Sequence, residues 1–366
     1  MKLKYNVDDR LPAGQLALYT IQWFVLAIAV VATSVFFVKD PGQRLFFAQK
    51  LFAIMGLTGL IQVIIGHRLP LVVGPASVLM LGVLSAMGES NAAIYTSIAI
   101  GGSLLTILTL GGMMRRIQRL FTPRIVVVLM MLIALTLAPV IKNLVFPFGA
   151  SNDENLFGFI FAIVGSMAMV VMNRTMRGIA KSLVIPIALI IGSAIYYSLF
   201  PTTSAPESSA SWRGMLIERA EFDGGLIVAF AICFVALLIN DIGSIESLGP
   251  MLGISDMDKR LKRGVRVTGL MNIVAGSMGV LGPVNFSMSP GIIASTGCAS
   301  RYALIPATIL LALCALSPDL IWLLINIPNP VIGVKPANDY QFRVFTTPVG
   351  PYFKGGAKPI TIKVSD

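Results

Sequence analysis

Apolar residues in this chain come in near-continuous runs of about 20, enough for a helix rising ~1.5 Å per residue to cross a hydrocarbon layer of ~30 Å. Windows of about 19 residues place such runs near 16–38, 45–66, 70–87, 91–112, 123–141, 156–173, 182–200, 224–247, 265–281, 284–297 and 303–326. Seven precede the polar stretch PTTSAPESSASWRGMLIERAEFDGG and four follow it. Its Pro and Ser content marks a connection between two halves.

Two of the runs are broken. From Gly279 to Arg301 the chain reads GVLGPVNFSMSPGIIASTGCASR, with Pro283, Pro290 and four glycines between strongly apolar neighbours. A shorter relative, HRLPLVVGPASVLM, runs from His67 to Met80 and carries Pro70, Gly74 and Pro75. Backbone polar groups in hydrocarbon must be satisfied internally, so interrupted backbone survives only inside protein or along a polar cavity. Two such segments at matching places in two halves point to a transporter binding site between inverted repeats.

Composition narrows the class further. Of 366 residues, 56% are hydrophobic and only 12% charged, against the roughly 25% charged of soluble domains. That is a polytopic membrane protein. The net charge of +11 reports topology rather than a nucleic-acid partner, because the basic residues sit in short loops between spans. With a cytoplasmic N-terminus the inside segments hold Lys2, Lys4, Arg10, Arg68, Arg115, Arg116, Arg119, Arg124, Arg174, Arg177, Lys181, Lys259, Arg260, Lys262, Arg263, Arg266 and Arg301; the outside ones hold Lys39, Arg44, Lys50, Lys142, Arg213 and Arg219, and the C-terminal tail holds Lys335, Arg343, Lys354, Lys358 and Lys363. The two broken segments are then entered from opposite sides, His67 lying at the cytoplasmic surface and Gly279 at the external one. Cys233, Cys298 and Cys314 fall in apolar runs and imply no disulfide framework. The lone histidine has no metal-site spacing, and no nucleotide-binding or protease motif occurs, so neither enzyme chemistry nor a cofactor is implied.

From roughly Pro12 to Gly333 the chain resembles the nucleobase–ascorbate transporters, the xanthine/uracil/purine permeases. The resemblance is carried by Gly66, Arg68, Pro70, Gly74 and Pro75 in the third span, RLFTP at Arg119 to Pro123, Arg263–Gly264 before the ninth, Gly291 to Arg301 in the tenth, and IPNPVIG at 327–333. It implies an all-α polytopic membrane protein with a seven-span inverted-repeat fold, in which the third and tenth spans begin as short strands and become half-helices. On that reading residues 1–112 and 224–333 form the two halves of a core domain, 113–200 the first half of a gate, 201–223 the inter-repeat loop, and 334–366 a tail foreign to the family. The match ends where a twelfth span would begin, so the second repeat is expected to be incomplete and the chain to concentrate substrate poorly unless a second chain supplies the missing spans.

The resemblance also implies site residues, and several depart from the family pattern. The family's binding Glu in span 8 falls on Asn240, beside Asp241; a frequent Asp in span 9 falls on Thr268; a Glu or Gln in span 10 falls on Met288; the Gln-His pair of span 1 is Gln22-Trp23; a span-3 aromatic is Ser77. Asp241 carries the sharpest signal, since an ionisable group within a span costs about 2.5 kcal/mol or more and faces a cavity or relays protons, unless the span ends early and leaves it wetted. Asn240 offers donor and acceptor to a base edge or to a neighbouring helix. Asn285, Ser287 and Ser289 could contact ligand or satisfy the broken backbone. Met288 and Trp23 could form an apolar slot or simply pack. Gln22, Trp23, Ser77, Asn240, Asp241, Met288 and Ser289 are the expected substrate contacts, with Asp241 as coupling group.

The function expected is secondary transport of a purine or pyrimidine base across the plasma membrane, driven by a proton or sodium gradient. The resemblance is compatible with a homodimer. The alternatives are an anion exchanger of the same general fold and a truncated membrane remnant that does not transport.

Overall fold

A computed structural model describes residues 3–110 (except 33, 36, 37 and 39), 152–176, 184–199 and 219–325. The expected fifth span at 123–141, the RLFTP and IPNPVIG matches, most of the inter-repeat loop and the tail from 334 lie outside these residues.

The first half opens with α1 (Ala13–Ala32) and α2 (Pro41–Ile64), followed by a strand β1 (Val73–Pro75), a short helix α3 (Ser77–Ser85) and α4 (Asn91–Leu108). Two helices, α5 (Asn152–Thr175) and α6 (Val184–Leu199), come next. Then α7 (Gly224–Glu246) leads through the one-turn α8 (Leu248–Leu252) to α9 (Met257–Ser277), β2 (Pro283–Asn285), α10 (Ser289–Thr296), α11 (Leu304–Cys314) and α12 (Pro318–Ile325). Helix starts follow local chemistry. Asp40 accepts the Gln43 N–H ahead of Pro41 at the first turn of α2, and Asp223 accepts the Leu226 N–H at the start of α7.

Among the described residues four segments are long and apolar enough to cross a membrane: α1, α2, α4 and the run Gly224–Leu252. The third and tenth runs are strand-plus-half-helix units. The eleven expected spans need correction in two places. The ninth starts early, so Lys259 to Arg266 lie in the first three turns of α9 instead of a loop. The run 303–326 is not one helix, because α11 and α12 meet at an angle of 106°. Ser317 and Pro318 cause that break. The serine hydroxyl accepts the Leu320 N–H while proline takes the first helical position, a start signal inside an apolar run.

Packing of the core repeats when the halves are exchanged. Helix α4 lies along α9 and α2 along α11, while α7 packs on α4 and β2 much as α1 packs on α11 and β1. The first two contacts are close. A Cβ on Gly276 would come within 2.6 Å of Ala99 N and Tyr95 O, and one on Gly56 within 2.5 Å of Ala312 N. Small residues at helix interfaces let backbones approach to that distance. Buried Phe52, Met55, Ile98, Leu105, Phe230 and Leu237 fill the space between.

The N-terminal segment is docked. Lys4 N–H donates to Gly297 O at 2.7 Å, Ala299 N–H to Tyr5 O at 2.9 Å and Arg301 N–H to Val7 O at 3.0 Å, so residues 4–9 run beside the end of α10. Arg301 ties the strap to α2, donating to Asp8 Oδ1 and Val63 O.

Candidate functional site

Strands β1 and β2 pair antiparallel, Val73 opposite Asn285 and Pro75 opposite Pro283. Main-chain bonds from Ala76 N–H to Gly282 O and from Phe286 N–H to Val72 O, both 2.9 Å, extend the ladder past the prolines, which have no N–H to give. Two half-helices thus leave one crossing in opposite directions. Neither α3 nor α10 has a side-chain cap at its start. The first N–H groups of α3 are therefore available at the crossing, with the partial positive charge of a helix N-terminus, whereas in α10 Pro290 has no N–H and Gly291 N–H donates to Met288 O. Gly74 is required there, because a Cβ would lie 2.3 Å from Val30 Cγ1 and 2.8 Å from the Phe286 ring.

Asp241, on α7, faces this crossing and is 0% exposed, which excludes the wetted alternative. Its Oδ1 accepts two hydrogen bonds from Asn285 on β2, from the backbone N–H at 3.0 Å and from Nδ2 at 2.8 Å. Its Oδ2 has no hydrogen-bond partner among the described residues. The Thr268 hydroxyl on α9 faces the carboxyl and accepts from Gln62 Nε2 at 3.0 Å. No lysine or arginine among the described residues pairs with Asp241. A buried carboxylate with no cation and one bare oxygen is expensive. It needs a proton, a cation or a ligand donor.

Sequence reasoning missed the next residue. His67, expected at the membrane surface, is fully buried, and its Nε2 lies 3.0 Å from Asn285 Oδ1. Its Nδ1 accepts the Leu69 N–H at 2.9 Å. Arg260 on α9 closes the turn from outside, donating to His67 O and, at 2.9 Å, to Arg68 O. Arg68 sits there at φ 56°, a left-handed conformation uncommon for a bulky residue. No spacing rule links His67 to Asn285, 218 positions on; only the broken backbone around both hinted at a shared place.

The remaining expected contacts scatter in character. Gln22 on α1 is 2% exposed, and neither its Oε1 nor its Nε2 has a partner among the described residues. Its neighbour Trp23 is buried in the apolar core. Asn240 and Ser77 are half-buried, Ser77 at the first position of α3. Met288 stands at the start of α10, half-buried against the core. Ser289 is committed to the backbone: its hydroxyl accepts the Val72 N–H at 3.0 Å and donates to Phe286 O. Ser287 is exposed. Among the described residues no cluster of His, Cys, Asp or Glu could hold a metal ion.

Broken helices that cross near the middle of a membrane are a recurrent transporter feature. The family model for xanthine/uracil permeases, described simply as a permease family, matches residues 14–335. The chain belongs to this permease family. It is a multi-pass membrane protein of a transporter family, not an enzyme family. Its similar relatives include a Clostridium perfringens protein provisionally named a purine permease, 26% identical over 91% of this chain and 76% of that protein. Xanthine permease XanP of Escherichia coli is 23% identical over 91% of this chain and 78% of its own length. Uric acid permease PucJ of Bacillus subtilis is 24% identical over 74% of this chain and 62% of its own. Among solved structures, the transmembrane domain of the cyanobacterial bicarbonate transporter BicA superposes with a TM-score of 0.66, covering 93% of this chain and 91% of that one at 15% identity. At that identity the likeness is one of fold.

Proposed function

We propose that this permease is a secondary transporter of a purine-type nucleobase in the plasma membrane, N-terminus inside, and that Asp241 is its coupling group. The observation that carries the reading is the fully buried carboxyl at the half-helix crossing, one oxygen held by Asn285 and the other bare. The names of the similar proteins, xanthine, uric acid and purine permeases, supply the substrate class.

A nucleobase is a flat ring with carbonyl acceptors and N–H donors along its edge. The uncapped N–H groups of α3 suit the carbonyls. Asp241 Oδ2 suits a ring N–H, and the Gln22 amide can serve either kind of group. Asn240 and Ser77 add donor and acceptor capacity, and Trp23 and Met288 an apolar wall, as small-ligand sites need. When Asp241 takes a proton its buried charge disappears, so proton binding and the cost of moving the loaded site across the membrane are linked. Residues 1–112 and 224–333 then form the moving core and 113–200 part of the gate. The exchange of packing between halves supports reading them as inverted repeats.

The test is uptake of labelled xanthine, uric acid, hypoxanthine and uracil by cells lacking their own permeases, with a protonophore or with sodium removed. Accumulation of a purine that collapses with the proton gradient is expected. Loss on sodium removal alone would assign the coupling to sodium, and no uptake of any base would overturn the reading.

A further inference from the structure

His67 is a buried titratable side chain that the transport reading leaves unused, and its hydrogen bonds have a direction. The Leu69 N–H points at Nδ1, so that nitrogen must carry a lone pair and the neutral ring holds its proton on Nε2. An Nε2–H needs an acceptor, which fixes the Asn285 side chain with Oδ1 toward the histidine and Nδ2 toward Asp241. Turned the other way, the amide would set its oxygen against the carboxylate and its NH2 against Nε2–H. One main-chain N–H thus decides, through two side chains, that Asp241 meets a donor. A protonated ring would carry an N–H at Nδ1 facing the Leu69 N–H, so the turn excludes that form too.

We propose that His67 is a positioning residue of the transport site: it locks the Asn285 amide so that Asp241 Oδ1 is fully occupied and Oδ2 alone takes the proton or the base. This rests on Asp241 being the coupling group. Charge near the network comes from α9, where Arg260 and Arg263 act on His67. On the elements packed against α7, neither Tyr95 of α4 nor any basic residue of α9 hydrogen-bonds or ion-pairs with Asp241, and β2 and α3 carry no ionisable side chain.

Freed from His67, the amide can turn its oxygen to the carboxylate, which favours the protonated acid. In His67→Ala the alkaline limb of uptake should move up by about one pH unit, a tenfold gain in proton affinity. His67→Gln, whose amide can still donate to Asn285 Oδ1, should return it toward the wild-type position. The shift should vanish when either change is made on Asp241→Asn. Substrate counterflow at acid pH shows whether each variant is folded. If His67→Ala does not fold, Asn285→Thr, which keeps the backbone N–H to Asp241 and removes the amide, should show the same upward shift. An unmoved limb in folded His67→Ala, no recovery in His67→Gln, or a shift that persists beside Asp241→Asn overturns the proposal for His67 while Asp241 stands. Accumulation that stays pH-dependent in Asp241→Asn alone overturns the coupling assignment beneath it, and His67's role with it.

Discussion

A polar side chain buried without partners is costly for folding, so it is a sign of something that folding alone does not explain. Gln22 is such a residue and Ser289 is not, although both were expected to touch substrate. Replacing Gln22 with Leu removes two unsatisfied atoms at nearly constant volume. Thermal stability without substrate should hold or rise, whereas the KM for the base should rise roughly 2- to 13-fold, the loss of a bond worth about 0.5–1.5 kcal/mol. An unchanged KM would return Gln22 to the core. Ser289→Ala should do the reverse. It strands the buried Val72 N–H, costing roughly 1–3 kcal/mol of stability, read as a lower unfolding midpoint in detergent with the order of preference among bases unaltered. Asp241 was legible in the sequence because a carboxylate inside an apolar run stands out by composition alone. His67 was not, because its partner Asn285 becomes a neighbour only when β1 and β2 pair.

Among elements, the prolines and glycines of the broken segments fixed where helix would fail, and those are the segments that hold the strands. What they did not reveal was the antiparallel pairing, a long-range contact between segments about two hundred positions apart. Nor did the apolar run at 303–326 reveal its bend, since hydropathy averages over Ser317 and Pro318 while capping is read residue by residue. Glycines of α4, α9 and α2 are contact points between helices. Gly276→Ala should push α9 off α4, because the methyl would meet Ala99 N and Tyr95 O at 2.6 Å. Overpacking of this kind costs roughly 1–3 kcal/mol, and a drop in the unfolding midpoint checks it; Gly225→Ala, whose methyl would meet only the Asp223 carboxyl at 3.3 Å, is the control. At the start of α9 the Arg260 side chain holds the Asp256 carboxyl below its usual range. The stability this pair adds is present above the ordinary carboxylate pKa and is lost as pH falls through the lowered one. Asp256→Asn should therefore matter most near neutrality and little once the pH has fallen through the lowered pKa, with Arg260 freed from its pair beside the Arg68 turn.

At the scale of the molecule the two halves close around one charge. Core helices pack on each other by the same contacts when the halves are exchanged, and the crossing of β1 with β2 lies where those halves meet. A transporter built this way concentrates substrate only if the empty site cannot return in the same charge state as the loaded one. On the proposed reading Asp241 supplies that condition, because as an anion it is buried without a cation and resists passage, and as an acid it does not. Asp241→Asn keeps the shape and replaces the free Oδ2 with an amide NH2 that can still meet a base carbonyl. The site is then permanently neutral. Reconstituted Asp241→Asn should exchange internal for external base at a rate insensitive to pH, yet build no gradient when a proton gradient is imposed. Wild type in the same vesicles should accumulate the base until the gradient is dissipated. Labelled base loaded inside, with unlabelled base and then a proton gradient added outside, separates exchange from net uptake. Net accumulation by the Asp241→Asn protein would place the coupling group elsewhere, because no neutral side chain at this position can make the return step depend on a proton.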